Sequence, residues 1–301
     1  MIAYRGFSLL RSLIAVVVIA LLGYAAVIGY YYGWQERELF NPTLLASDYV
    51  YDYEQPFEES YIAMPDGVRL HSLLFRTQKQ RQGVVFYLHG NRGSLVDWAK
   101  PEYNHVYLDN GYDLFMVDYR GYGKSAGEIT SESQLYGDVA ALYRWLLQSY
   151  QQQDIVVVGY SLGSGPAAWL ACRQQPRYLV LKAPYYSMVD LAAQIVPYIP
   201  SAVLRYPLRT DNALRGCQTP ITLIHGEQDK LIPIDASERL AQLLKADDQF
   251  IRLAGVGHGN LAGEPSFIAA MDALLKSLNQ QRQQPSATAQ PSANETAAYR
   301  H

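Results

Sequence analysis

Ser161 stands in Gly159-Tyr160-Ser161-Leu162-Gly163, a G-x-S-x-G pattern. Residues 155–158 before it are an all-apolar, β-branched run that suits a buried strand, and residues 166–172 after it suit a helix. A serine on a tight strand-to-helix turn has its hydroxyl exposed, beside the free N–H groups of the helix start. That hydroxyl is a poor nucleophile until a neighbouring base takes its proton, and work near neutral pH favours histidine as the base. Of the 6 histidines, His71 falls in an early hairpin, His105 in a helical stretch and His301 in the C-terminal tail. His89 and His225 precede glycines at strand ends, which suits a structural hydrogen bond. His258 lies in a glycine-rich loop between the last strand-like and last helical stretches, and it is the candidate base.

A carboxylate must orient that imidazole and stabilise its protonated form. Asp229, shortly after the penultimate strand, is the candidate, with Glu227, Asp235 and Asp190 as alternatives. An acyl-transfer intermediate also needs N–H donors aimed at its oxyanion. The backbone of Leu162, directly after the serine, is one; the backbone of Asn91, in the loop His89-Gly90-Asn91-Arg92-Gly93, is the other. The glycine-rich loop at 118–127 lacks phosphate-cradling spacing, and no dinucleotide fingerprint occurs. It reads as a shaped loop bordering the site.

The elements that must position these residues alternate. Strand-like segments at 84–88, 114–117, 155–158, 179–181, 221–224 and 250–253 are interleaved with helical ones at 132–150, 166–175, 235–245 and 265–278. A hairpin at 60–75 precedes them. This order predicts an α/β fold with a mostly parallel sheet flanked by helices. Catalytic groups then belong in the loops at the carboxyl edge of the strands.

Residues 13–32 contain no charged residue and are long enough to span a bilayer as a helix. Arg5 and Arg11 precede the run and acidic residues follow it, so the rest of the chain is expected across the membrane from the cytoplasm. Tyr30, Tyr31, Tyr32 and Trp34 make an interfacial aromatic belt. The alternative is secretion after cleavage of a signal peptide near Gly23-Tyr24-Ala25. A net charge of −3 gives no reason to expect nucleic acid. The 2 cysteines, Cys172 and Cys217, form neither a disulfide framework nor a zinc-type cluster. They could pair in an exported domain, and two buried free thiols are the expectation. No metal or other cofactor is called for.

Four stretches stand together: HGN at 89–91, DYRGYGKSAG at 118–127, GYSLG at 159–163, and HGEQD with GVGHGNL at 225–229 and 255–261. Jointly they resemble the α/β-hydrolase superfamily over roughly residues 58–278. They are similar to its membrane-anchored branch of depalmitoylases, lysophospholipid lipases and bacterial serine aminopeptidase-like hydrolases. The resemblance implies Ser161 as nucleophile, Asp229 as acid, His258 as base, and Asn91 and Leu162 as the oxyanion hole. One departure is His258-Gly259-Asn260, where relatives often carry His-Asn-Asp.

The implied organisation is a cytoplasmic N-terminus and transmembrane anchor at 1–34, a connector at 35–57, an α/β-hydrolase domain at 58–278 with a small cap at about 184–215, and a disordered tail at 279–301. The expected activity is hydrolysis of acyl esters or thioesters. Tyr160, Tyr185, Tyr186, Tyr198 and Tyr206 suit a lipid or acylated substrate at the membrane surface. The rivals are a serine peptidase or amidase, and a non-catalytic binding protein that keeps the fold.

Overall fold

The structure is a computed structural model that describes the backbone of residues 2–283 and the side chains of residues 10–282. Eight strands form one sheet: β1 (Phe57–Ala63), β2 (Arg69–Phe75), β3 (Gly83–Leu88), β4 (Tyr112–Val117), β5 (Ile155–Tyr160), β6 (Tyr178–Lys182), β7 (Ile221–Gly226) and β8 (Gln249–Leu253). Their order is β8-β7-β6-β5-β3-β4-β2-β1. The strands from β3 and β4 to β8 run parallel, and β1 and β2 are antiparallel additions at one edge.

Strands β3 to β7 are buried along their whole lengths, as the near-continuous apolar runs require in a sheet covered on both faces. Their alternate residues serve two cores. Val84, Phe86, Ile155 and Val157 face one, while Val85, Tyr87, Val156 and Val158 face the other. The first core is covered by α3 (Glu132–Leu146), α4 (Ser164–Gln174) and α7 (Asp235–Ala241). The second is covered by α2 (Pro101–Asp109) and α8 (Pro265–Gln283). Leu135, Val139, Leu142 and Leu146 make the buried stripe of α3. The Ser131 hydroxyl caps that helix by accepting from the Gln134 amide at 3.1 Å.

Between β6 and β7 lie only α5 (Met188–Ile195), a turn at Ser201–Val203 and α6 (Thr210–Leu214). The N-terminal helix α1 (Ile2–Leu39) is long and apolar enough to cross a membrane, and Leu13, Ile14, Val16, Ile19, Leu21 and Leu22 on it stand exposed. Of the expected tail, residues 279–283 continue α8, and residues 284–301, with His301, lie outside the described residues.

The cysteines correct the sequence expectation. Cys172 and Cys217 are joined in a disulfide rather than held as free thiols. Cys172 lies near the C-terminal end of α4 and Cys217 just past α6; those two helices pack together, a proximity that a separation of 45 residues hides.

Candidate active site

Strand β5 ends at Tyr160, and Ser161 follows with φ at 51°, a left-handed conformation that costs a non-glycine residue energy. Close packing on both sides of the turn enforces it. A Cβ at Gly159 would lie 2.5 Å from that of Ala167, and one at Gly163 would lie 2.2 Å from the Leu88 carbonyl oxygen. Only glycine fits at either place. Register pairing of Leu88 with Gly159 brings the loop after β3 and the turn after β5 to the same sheet edge.

At that edge the three side chains meet. His258 Nε2 lies 3.0 Å from Ser161 Oγ, and His258 Nδ1 lies 2.6 Å from Asp229 Oδ2. Asp229 Oδ1 accepts the amides of Leu231 and Ile232 at 2.9 and 2.8 Å. Burial works against ionising Asp229, but hydrogen bonds from His225 and His258 and the Ile232 amide hold it well below the usual carboxylate range. A permanently ionised carboxylate fixes the His258 tautomer with its proton on Nδ1, leaving Nε2 to accept from the serine.

The alternatives to Asp229 are engaged elsewhere. Glu227 pairs with Arg252, while Asp190 and Asp235 both reach Arg239. Of the other histidines, His71 lies between Asp118 and Glu59, and His105 contacts the Pro101 carbonyl. At the departure from the family pattern, Asn260 Oδ1 accepts the Gly257 amide at 3.0 Å and so closes the turn around His258.

Asn91 belongs to a tightly held loop. Its carbonyl accepts from the Tyr122 hydroxyl at 2.8 Å and from the Asn41 amide at 2.9 Å. Trp98 Nε1 donates to the Arg92 carbonyl at 2.7 Å, and the Tyr119 hydroxyl donates to that of His89 at 2.9 Å. His89 Nδ1 donates to the Gly90 carbonyl at 2.7 Å. Burial lowers the His89 pKa, so this ring is neutral and a donor from one nitrogen. Leu162 starts the helical run after the serine, and its carbonyl accepts from the buried Tyr185 hydroxyl at 3.2 Å.

The sequence-singled aromatics separate into two groups. The Tyr160 ring stacks on His258 with centroids 5.3 Å apart, and its hydroxyl donates to the His258 carbonyl at 2.5 Å. Tyr185 supports Leu162, as described, and Tyr186 stacks under Arg239. Tyr198 and Tyr206 instead contact α1, at Tyr31 and Glu36.

Residues 83–184 match the family described by the α/β-hydrolase fold. The chain is 27% identical over 256 residues to an uncharacterised protein of Mycobacterium tuberculosis, covering 83% of this chain and 89% of that one. In three dimensions it aligns with an esterase of Pyrococcus furiosus at a TM-score of 0.63 and 18% identity, over 81% of this chain and 98% of the esterase. The chain has the α/β-hydrolase fold. The chain is also 27% identical over 179 residues to the lysophosphatidylserine lipase of Danio rerio, across 53% of this chain and 47% of that protein.

Two features of the site go beyond the roles the sequence suggested. His225 Nε2 lies 3.2 Å from Asp229 Oδ2 and 2.9 Å from the Ile232 carbonyl. Its Nδ1 meets Ser237 Oγ at 2.6 Å, so the serine hydroxyl donates and Nε2 carries the proton toward Asp229. In the sequence His225 opens the HGEQD stretch and precedes a glycine at a strand end, which suits a structural hydrogen bond without naming Asp229 as its partner. The second is Lys182, fully buried with its ammonium 4.3 Å from the centre of the Phe267 ring, 5.0 Å from that of Tyr87 and 5.3 Å from that of Tyr160. Burial pushes its pKa down to about 7. It therefore sits behind the same ring that stacks on His258.

Proposed function

We propose that the protein is a membrane-anchored serine hydrolase that cleaves the acyl ester or thioester bond of a lipid-like or acylated substrate. One observation carries the reading. Ser161, His258 and Asp229 form an unbroken hydrogen-bonded chain, with 3.0 Å between hydroxyl and imidazole and 2.6 Å between imidazole and carboxylate. These are distances over which a proton can pass.

In the first half-reaction His258 Nε2 takes the Ser161 proton as Oγ attacks the acyl carbon. Asp229 stabilises the resulting imidazolium. The amides of Leu162 and Asn91 receive the oxyanion, and the rigid hold on the Asn91 loop keeps that donor in place without reorganisation. Collapse of the intermediate expels the alcohol or thiol, which leaves with the proton from His258. In the second half-reaction His258 takes a proton from water as it attacks the acyl-serine, and returns it to Ser161 Oγ as the acyl–oxygen bond breaks and the free acid departs.

The lipid-like substrate is supported by the relative in Danio rerio, which is a lysophosphatidylserine lipase. Anchoring is supported by the exposed apolar length of α1. A catalytic domain outside the cytosol is supported by the Arg5 and Arg11 flank and by the Cys172–Cys217 disulfide, since such bonds persist in oxidising compartments.

A fluorophosphonate probe tests the core of this reading. The purified full-length protein should be labelled, and Ser161→Ala should not. Labelling of Ser161→Ala at the wild-type rate would sink the nucleophile assignment. An acyl-chain series on the same preparation then separates lipid-like from short soluble substrates.

A further inference from the structure

The cap between β6 and β7 contains a run from Leu191 to Leu204 with no charged residue. It includes Ile195 and Tyr198, whose side chains stand 62% and 55% exposed. Two exposed apolar side chains are ordinary by themselves; what sets these apart is that Tyr198 adjoins α1, whose own apolar side chains stand exposed.

This stretch is fastened to α1. The Tyr24 hydroxyl donates to the Tyr198 carbonyl at 2.9 Å, and the Tyr31 and Tyr198 hydroxyls lie 3.4 Å apart. Further along, Gln35 Nε2 donates to the Val203 carbonyl at 3.2 Å, and Gln35 Oε1 accepts the Arg205 amide at 2.7 Å. Glu36 pairs with Arg205 at 2.6 Å and accepts the Tyr206 hydroxyl at 2.8 Å. Along the contact, polarity changes in step on both partners. Tyrosine at 24 and 31 faces the uncharged run; glutamate at 36 faces arginine at 205.

The contacts also set depth. Tyr24 lies six residues before the aromatic cluster that begins at Tyr30. At the rise of an α-helix this places it roughly 9 Å further along the axis, toward the apolar centre of α1. If Tyr30, Tyr32 and Trp34 mark the headgroup level, whatever is bonded to Tyr24 lies beneath it.

We infer that the cap segment 191–204 is seated in the interfacial layer of the lipid bilayer, as a second membrane contact beside α1. The inference rests on the reading of α1 as an anchor. Its occupant is the bilayer itself: the exposed Ile195 and Tyr198 side chains meet acyl chains and glycerol backbones, while Arg205 stays at the phosphate level, paired with Glu36. The cap follows β6, whose Lys182 pairs in register with Tyr160, the residue next to Ser161. Seating the cap therefore turns the catalytic edge toward the membrane, so that an acylated lipid can reach Ser161 by lateral movement.

Nitroxide depth measurements on the full-length protein in phospholipid vesicles test this. Single labels are placed at Ile195→Cys, Tyr198→Cys, Leu22→Cys and Ser149→Cys, without reductant so that the native disulfide stays closed. Ser149 is an exposed position next to the end of α3 and serves as the aqueous reference. Labels at 195 and 198 should collide more with dissolved oxygen than with a water-soluble nickel chelate, as at 22 and opposite to 149. A lipid-like label at 22 with water-like labels at 195 and 198 would overturn the cap inference and leave the anchor standing. A water-like label at 22 would overturn the anchor, and the cap inference with it.

Discussion

The amide of Asn41 donates a hydrogen bond of 2.9 Å to the carbonyl of Asn91, joining the connector after α1 to the loop beside the nucleophile. The contact is the first of several. Asn41 and Pro42 pair in parallel register with Arg92 and Gly93, and Thr43 is bonded to both Gly93 and Gly123. The connector is therefore part of the site's scaffold, and a truncation made just before Phe57 would remove it.

Tyr122 holds the same carbonyl from the other side, at 2.8 Å and with no exposure of its own. Tyr122→Phe keeps the ring and removes the bond, a loss of about 1 kcal/mol in stability. The expected signature is a fall in kcat of about tenfold with KM nearly unchanged, because a displaced oxyanion donor acts on the transition state alone. A rise in KM with kcat intact would show that the loop binds ground-state substrate instead.

Asp229→Asn should lower kcat by about 10⁴-fold, through loss of the tautomer that points Nε2 at the serine. The carboxylate's depressed pKa also has a stability consequence. A group lowered in the folded state stabilises the fold above its unfolded value of about 3.9 and loses that contribution as pH falls through the lower folded value. Denaturation at several pH values should thus find the variant less stable than wild type at pH 7, with the gap narrowing only below about pH 4. A gap that closes near pH 6 would contradict the assignment.

Lys182 gives the opposite sign. Its pKa is pushed down to about 7, so between that value and the usual lysine value of about 10.4 the unfolded chain holds a proton that the folded chain does not. The lysine penalty is full below about pH 7 and fades as pH rises toward 10; the aromatic cage offsets part of it. Lys182→Met should raise Tm most at pH 6 and least at pH 9. A gain equal at both would mean that the amine titrates normally.

The disulfide makes a separate prediction. Replacing both Cys172 and Cys217 by serine should cost about 2–4 kcal/mol of stability, read as a lower denaturation midpoint. Hydrolysis at 25 °C should persist, because Cys172 lies eight residues along α4 from its start at Ser164, away from the turn that holds Ser161. Loss of activity with an unchanged midpoint would assign the bond to the chemistry instead.

The residues at the strand ends were legible because each carries a local signature: glycines flanking Ser161, and loops holding Asp229 and His258 after strands that read clearly as apolar runs. Asp229 was the candidate ahead of Glu227, Asp235 and Asp190 from the sequence; what only the third dimension adds is that arginines 239 and 252 claim the others. The cysteine pair, the Asn41–Asn91 bond and the Tyr24–Tyr198 bond join residues 45, 50 and 174 positions apart. No local pattern encodes such contacts. Tyr198 and Tyr206 illustrate the difference: they lie between β6 and β7 in the chain, yet α1 is their neighbour.

Tyr160 adjoins the alcohol by a peptide bond and grips the backbone of the imidazole-bearing loop through its phenol, whose proton burial retains. The two reacting groups, though 97 residues apart, are thus leashed to one another by a single side chain. Widening the gap across which the proton must jump would therefore strain that one phenol bond.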